Sequence, residues 1–327
     1  VGLGTHRTMT DAELRAVLGA DVACRYAIVQ PDCHDNREYT YLGRSRAGHP
    51  IHVYSAFLRC TARIITGLNE PHLFAGISGG PKAILPGLAS LDTIIANHSP
   101  ELLLDPRATW GITQGNPVWE EMLEAARLAS PTFLVNVTVN RDRAITGVFG
   151  GELEAAFAKG ADFVRQTSMV PVQHSYDVVV TTNSGYPLDL NLYQAVKGMS
   201  AAAPIVKPGG AIITAAECSD GIPEGGRWES VLHQVKSPEE IIRGIQDGRY
   251  AGADQWGLLL YAQILQKATV YLKASYLSHD EIRDCLAVPC DDVSHTLRTM
   301  LHYYGGDSTA CILPEGPQTV PYLAEGT

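Results

Sequence analysis

The sequence predicts an α/β protein of two domains built on mainly parallel sheets. Three observations carry this. Strand-like runs alternate with amphipathic helical runs along the whole chain. YDVVVTT, residues 176–182, is a near-continuous β-branched run of the kind buried on both faces of a parallel sheet. The composition resets at Val170-Pro171-Val172, a short extended break. That break puts the boundary near residue 173 and the domains at 1–173 and 174–327.

Taken in order, VGLGTHR reads as the end of a strand running into a loop, and YAIVQ (26–30) as a strand. Residues 39–54 read as a hairpin around Ala47-Gly48. ARIITG (62–67) is another strand. SPELLLD leads to a helix near 119–128, where EEMLEAARLA has helical apolar spacing. TFLVNVTVN and AITGVFG form a second hairpin turning at 140–143, and 151–165 is an amphipathic helix. In the second half, 191–201, PEEIIRGIQ, WGLLLYAQILQ and 293–304 read as helices. GGAIITAA, TVYLKA and TACILPEG read as strands.

Composition limits the function classes. With 45% hydrophobic residues a sizeable core is available. A formal charge of -10 argues against a nucleic-acid or anionic-membrane surface, and no apolar run is long enough to span a bilayer. The seven cysteines are scattered with no CxxC. They read as reduced, buried thiols of a cytoplasmic protein rather than a disulfide or zinc framework. The chain starts without Met, which reads as a fragment.

The densest chemistry lies in EPHLFAGISGGPKAILPGLASLDTIIANHS, residues 70–99, directly after a strand. Strand carboxyl ends are where α/β folds place ligands. Gly76, Gly79 and Gly80 allow close approach of backbone amides to an anion. The segment is not an ATPase loop: Pro81 stands where a glycine is needed, and Ala83 offers no hydroxyl to Mg²⁺. His72 and His98 flank Lys82. Either histidine alone is most often a satisfied loop residue. Together with the lysine they offer an acid/base, a metal ligand and an attachment point.

HLFAGISGGPKAILPGLASLDTIIANHS resembles the central signature of the lactate racemase family, the nickel-pincer-nucleotide 2-hydroxyacid racemases and epimerases. TTNSGYPLDLNLYQAVKGMSAA (181–202) resembles that family's C-terminal signature, and GTHR (4–7) and DQW (254–256) match further positions in order. The resemblance runs over nearly all of the chain.

It implies a racemase or epimerase of 2-hydroxy acids, with its active site in the cleft between the two domains. The implied cofactor is a nickel-pincer nucleotide, a pyridinium thioamide/thiocarboxylate mononucleotide joined covalently to the lysine matched by Lys82. His98 matches the nickel ligand, and such planar soft-ligand coordination suits Ni(II). Ser78, Gly79 and Gly80 are candidate phosphate donors on physical grounds. His6 and His72 match the acid/base pair. Inverting a carbon requires such a group on each face. The implied mechanism removes the 2-hydroxyl proton, passes a hydride to the cofactor and returns it to the opposite face of a planar 2-keto acid.

Lys197 matches a substrate lysine, with Tyr193 and Gln194 before it in YQAVK. Trp256 lines the site or is core. Implied partners are a small 2-hydroxy acid and cofactor-biosynthesis proteins, with no nucleic acid and no membrane.

Relatives carry an upstream DxTRP-type segment supplying an aspartate and a substrate-carboxylate arginine, and this chain starts downstream of it. Trp119, where some relatives have histidine, reads as packing, and His34-Asp35 as a turn. Two other readings compete. One is a catalytically silent, cofactor-binding relative. The other is a nucleotide-dependent oxidoreductase, against which the absence of G-x-G-x-x-G with a later acidic residue counts.

Overall fold

The computed structural model describes residues 1–223, 227–252 and 254–324. The chain divides into two units, Val1–Arg165 and Gln166–Thr327. Both are mixed α/β, and parallel pairing predominates among the sheets.

The first unit runs α1 (Asp11–Leu18), α2 (Ala20–Arg25), β1 (Tyr39–Arg44), β2 (Pro50–Tyr54), α3 (Ser55–Leu58), β3 (Ile64–Leu68), β4 (Pro71–His72), β5 (Gly76–Ile77), α4 (Leu91–Asn97), α5 (Pro100–Leu103), α6 (Pro117–Ala129), β6 (Phe133–Val139), β7 (Ile145–Gly151) and α7 (Leu153–Ser168). Strands β1 and β2 form the expected hairpin, closed by a turn in which the Ser45 N–H donates to His49 O at 2.9 Å. Strand β3 pairs parallel with β6, and β7 pairs antiparallel with β6.

The whole segment from His72 to Trp119 lies in the β3-to-β6 crossover, so the site segment leaves the carboxyl end of β3. Helix α6 starts where Asn116 caps it, its Oδ1 accepting the Val118 and Trp119 N–H groups, with Pro117 in the first turn. Its buried stripe is Val118, Glu121, Met122, Ala125 and Ala129.

The second unit runs β8 (Met169–Val172), β9 (Tyr176–Thr182), α8 (Leu192–Ala202), β10 (Val206–Ala216), α9 (Arg227–Leu232), α10 (Pro238–Gln246), α11 (Gln255–Lys267), β11 (Ala268–Ala274), α12 (His279–Asp284), β12 (Val288–Pro289), α13 (Val293–Tyr304), β13 (Ala310–Leu313) and β14 (Val320–Leu323). Five of these strands make one parallel sheet in the order β12-β11-β10-β9-β13. Val178, Val180, Ala211 and Ile213 pack under Val293, Leu297, Met300 and Leu301 of α13. The alternate residues Val179 and Ile212, fully buried, face the other side.

From β9 the chain proceeds to β10 on one side and returns as β13 on the other. The carboxyl ends of β9 and β13 are thus a topological switch point, where open parallel sheets form a crevice.

Two expected strands are absent. YAIVQ forms no ladder: α2 ends at Arg25, and Tyr26 and Val29 lie exposed. A short apolar run needs a partner strand, and among the described residues this one has none. Val1–Arg7 is a turn, not a strand end, with the His6 N–H donating to Leu3 O at 3.1 Å.

Of the cysteines, Cys33, Cys218, Cys285 and Cys290 are buried, Cys311 is half-buried, and Cys24 and Cys60 are exposed. Among the described residues no helix is long and apolar enough to cross a membrane.

Candidate active site

The first unit gathers His72, Lys82 and His98. His98 caps the carboxyl end of α4 and is buried. Its backbone N–H and its Nδ1 both reach Ile94 O, each at 3.0 Å. A carbonyl accepts only, so Nδ1 carries the ring proton and Nε2 the lone pair. Burial pushes the His98 pKa down to about 4; the Ile94 carbonyl opposes the shift and the charge of Lys82 adds to it. The ring is therefore neutral near pH 7, the state in which imidazole binds a metal.

His72 ends β4. Its Nδ1 accepts the N–H groups of Phe74 and Ala75, at 3.2 and 3.1 Å, which puts the proton of the neutral ring on Nε2. Phe74 lies between the two histidines, with its ring centroid 6.3 Å from His72 and 6.4 Å, edge-on, from His98.

Lys82 sits in a short 3-10 turn, Gly80–Ala83, packed against α6 and β3. Gly79 and Gly80 have φ of 81° and 53°, which favours glycine at both positions. A Cβ on Gly79 would strike the Asn136 amide, and one on Gly80 the Phe157 ring. Phe157 in turn packs against Trp119, with centroids 5.3 Å apart and the rings tilted by 31°, so Trp119 backs this turn. Ser78 is engaged within the chain: its N–H donates to Glu70 O at 2.9 Å and its hydroxyl to Leu68 O at 2.7 Å.

His6 rides on the amino-terminal turn, where the Gly4 N–H donates to Gly87 O at 3.3 Å. Its segment thus packs on the loop following Lys82. The turn reading of His34-Asp35 fits the geometry: Asp32 Oδ1 accepts the His34 N–H and Asp35 Oδ1 the Arg37 N–H. Among the described residues Asp32, Cys33 and His34 also hold metal-donor atoms within 4.8 Å of one another, but Asp32 and His34 are exposed and this turn accounts for them.

The second unit holds Tyr193, Gln194, Lys197 and Trp256. The first three lie in the opening turns of α8, after the loop that leaves the carboxyl end of β9. Asn191 caps the helix by accepting the Gln194 N–H at 3.0 Å. That loop is tied to the one after β13: Thr182 Oγ1 donates to Pro314 O at 2.8 Å and Ser184 Oγ to Glu315 O at 2.6 Å. Gly198 lets α8 lie directly on β9, since a Cβ there would collide with Thr182 O. Trp256 Nε1 donates to Tyr193 Oη at 3.2 Å, joining α11 to α8. Burial raises the Tyr193 pKa.

Sequence reasoning did not single out Phe74, or the buried pair of Asn97, directly before His98 in the chain, and Glu121, joined by a 2.9 Å hydrogen bond. The signal for Glu121 was present: it falls on the apolar stripe of α6, where a carboxylate is out of place.

Residues 1–111 match the family described as lactate racemase N-terminal domain, and residues 172–320 the lactate racemase C-terminal domain. The chain is 33% identical to a lactate racemase from Thermoanaerobacterium thermosaccharolyticum over 98% of its own length and 75% of that protein. It is 34% identical to one from Lactiplantibacillus plantarum, over 97% and 74%. The structure of the lactate racemase apoprotein from T. thermosaccharolyticum superposes with a TM-score of 0.93 at 32% identity, covering 98% of this chain and 77% of that one. A protein from Thermotoga maritima shares the fold alone, with a TM-score of 0.73 at 16% identity over 99% and 84% of the two chains. On this identity and coverage the chain belongs to the lactate racemase family, a family of isomerases.

Proposed function

We propose that the protein interconverts the two configurations of a lactate-like 2-hydroxy acid, using a nickel-pincer nucleotide attached to Lys82 with His98 as the protein's nickel ligand. The observation that carries this is His98 itself: a buried imidazole, neutral near pH 7, its Nδ1 proton on Ile94 O and Lys82 close enough to bear on its charge. That donor fits the group, because a neutral imidazole nitrogen is a ligand Ni(II) would take readily. Held by Lys82 and His98, the group would supply a reversible hydride acceptor for the substrate carbon.

The chain's own residues do the rest. His72 exchanges a proton at Nε2, since Phe74 and Ala75 fix Nδ1 as acceptor. His6 serves the opposite face of the substrate. Ser78 shapes the loop through Leu68 and Glu70, which leaves contact with the nucleotide phosphate to the Gly79 and Gly80 amides. Lys197 supplies the cation for the substrate carboxylate. Tyr193 and Gln194, beside it on α8, position the acid, and the Trp256 indole braces Tyr193.

The test uses protein produced together with the cofactor-biosynthesis proteins. Intact mass should show an adduct that Lys82→Ala lacks. His98→Ala should keep the adduct and lose nickel. The loaded parent should convert either lactate enantiomer to the other. An adduct persisting on Lys82→Ala, or a nickel-loaded parent inert toward 2-hydroxy acids, would refute the reading.

A further inference from the structure

We infer that Glu121 is a positioning residue for the nickel ligand, acting through Asn97; the inference rests on the reading of His98 as that ligand. Glu121 lies on α6 and is only 5% exposed. Its Oε2 accepts a hydrogen bond from Asn97 Nδ2 at 2.9 Å. Its Oε1 accepts one from Ser45 Oγ at 2.5 Å and sits 2.8 Å from His49 Nδ1.

Asn97 is wholly buried, and its Nδ2 also donates to Val118 O at 3.1 Å. It is the last residue of α4 and directly precedes His98. One carboxylate therefore fastens the β1–β2 turn, helix α6 and the end of α4 that carries the His98 ring. The start of α4 is held separately: Thr93 Oγ1 accepts the His52 N–H and donates to Pro50 O, both at 3.0 Å.

A buried carboxylate is a poor source of stability alone, because well-packed apolar groups often replace such clusters without loss. It is a good means of fixing one geometry, since its two oxygens tie α6 to partners on two other elements, the β1–β2 turn and α4. The rest of the α6 stripe is apolar, so packing would be served by a leucine there. With Asn97 bonded to both Val118 and Glu121, the end of α4 cannot rotate without breaking both bonds. The direction in which His98 presents Nε2 is fixed with it.

The experiment compares cofactor-loaded parent, Glu121→Gln, Asn97→Ala, Ser45→Ala and His98→Ala proteins. It reads the mass of the Lys82 adduct, the rate of nickel loss to a chelator, and the melting temperature of nickel-free protein. Glu121→Gln and Asn97→Ala should lose nickel roughly 10- to 100-fold faster with the adduct intact, the usual effect of disturbing groups behind a metal ligand. Ser45→Ala breaks a bond on the far oxygen. It should lower the melting temperature as much while releasing nickel near the parent rate. Parent-like nickel release in Glu121→Gln and Asn97→Ala overturns the proposal. So does nickel loss in all three that merely follows stability. His98→Ala separates the two readings: if it keeps nickel, the ligand assignment fails first; if it alone loses nickel, only the role of Glu121 fails.

Discussion

Gly80 shows how tightly the residues around Lys82 are specified. Its φ is 53°, and a Cβ would enter the Phe157 ring, which is itself backed by Trp119. Gly80→Ala therefore combines a left-handed backbone with an overpacked aromatic contact, at about 2–4 kcal/mol in all. Denaturant unfolding of the cofactor-free protein should show that loss, and the Lys82 adduct should fail to form. An alanine variant as stable as the parent would mean that Phe157 moves aside freely.

At this scale the sequence is a partial guide. The SGGPK segment shows that glycines and a lysine meet, because residue type alone speaks for close approach. It does not show that Ser78 turns inward to Leu68 and Glu70, since a serine reads the same whether its hydroxyl faces a ligand or the chain. Nor does it show Phe74 between His72 and His98, because the β4–β5 turn that brings the rings near is set by pairing of His72 with Gly76.

Among the elements, the parallel sheet of the second unit was readable chiefly from β9, whose YDVVVTT is a β-branched run that no helix would favour. The first helices were overlooked although α1 opens with a capping box, Thr10 and Glu13 each bonding the other's backbone N–H. α12 opens the same way with Ser278 and Glu281. YAIVQ misled because periodicity records what a segment can do, while a ladder also needs a neighbour.

Asp177 shows what holds the sheet's entry. Its carboxylate accepts Lys207 Nζ at 2.8 Å and the Thr309 N–H at 2.8 Å, linking the start of β9 to β10 and to the approach of β13. The Lys207 ammonium and the Thr309 N–H hold its carboxyl below the usual carboxylate range. A depressed folded value means that the unfolded chain takes up the proton first as the solution is acidified. The stabilisation is therefore complete above roughly pH 4 and is lost as pH falls through the lower folded value. Asp177→Asn should cost about 1–3 kcal/mol at pH 7. Its melting temperature should converge on the parent's in acid, below roughly pH 4. A constant gap down to pH 2 would assign the loss to packing rather than charge.

For the molecule as a whole, a formal charge of -10 is set against an apolar, exposed sheet face. Strand β6 turns Leu134, Asn136 and Thr138 into the first unit's interior and Phe133, Val135, Val137 and Val139 the other way. Across it, Ile64 pairs with Phe133, Leu68 with Val137, and Val148 with Val137. Ile64 is 60% exposed, Val148 63% and Ile145 62%. Clustered apolar exposure of this kind drives association, and β3 is an edge strand of that sheet.

Charge repulsion opposes the association near pH 7 and weakens toward the sequence pI of about 5.5 and with added salt. Light scattering at fixed protein concentration should therefore rise from pH 7.5 to pH 5.5, and rise at pH 7.5 with salt. Ile64→Thr combined with Val148→Thr keeps β-branched residues in both strands and leaves the net charge unchanged, while removing apolar surface from the two strands that flank β6 on that face. That variant should suppress both rises with no loss of melting temperature. If it scatters as the parent does, the sheet face is not the contact, and association runs through another surface.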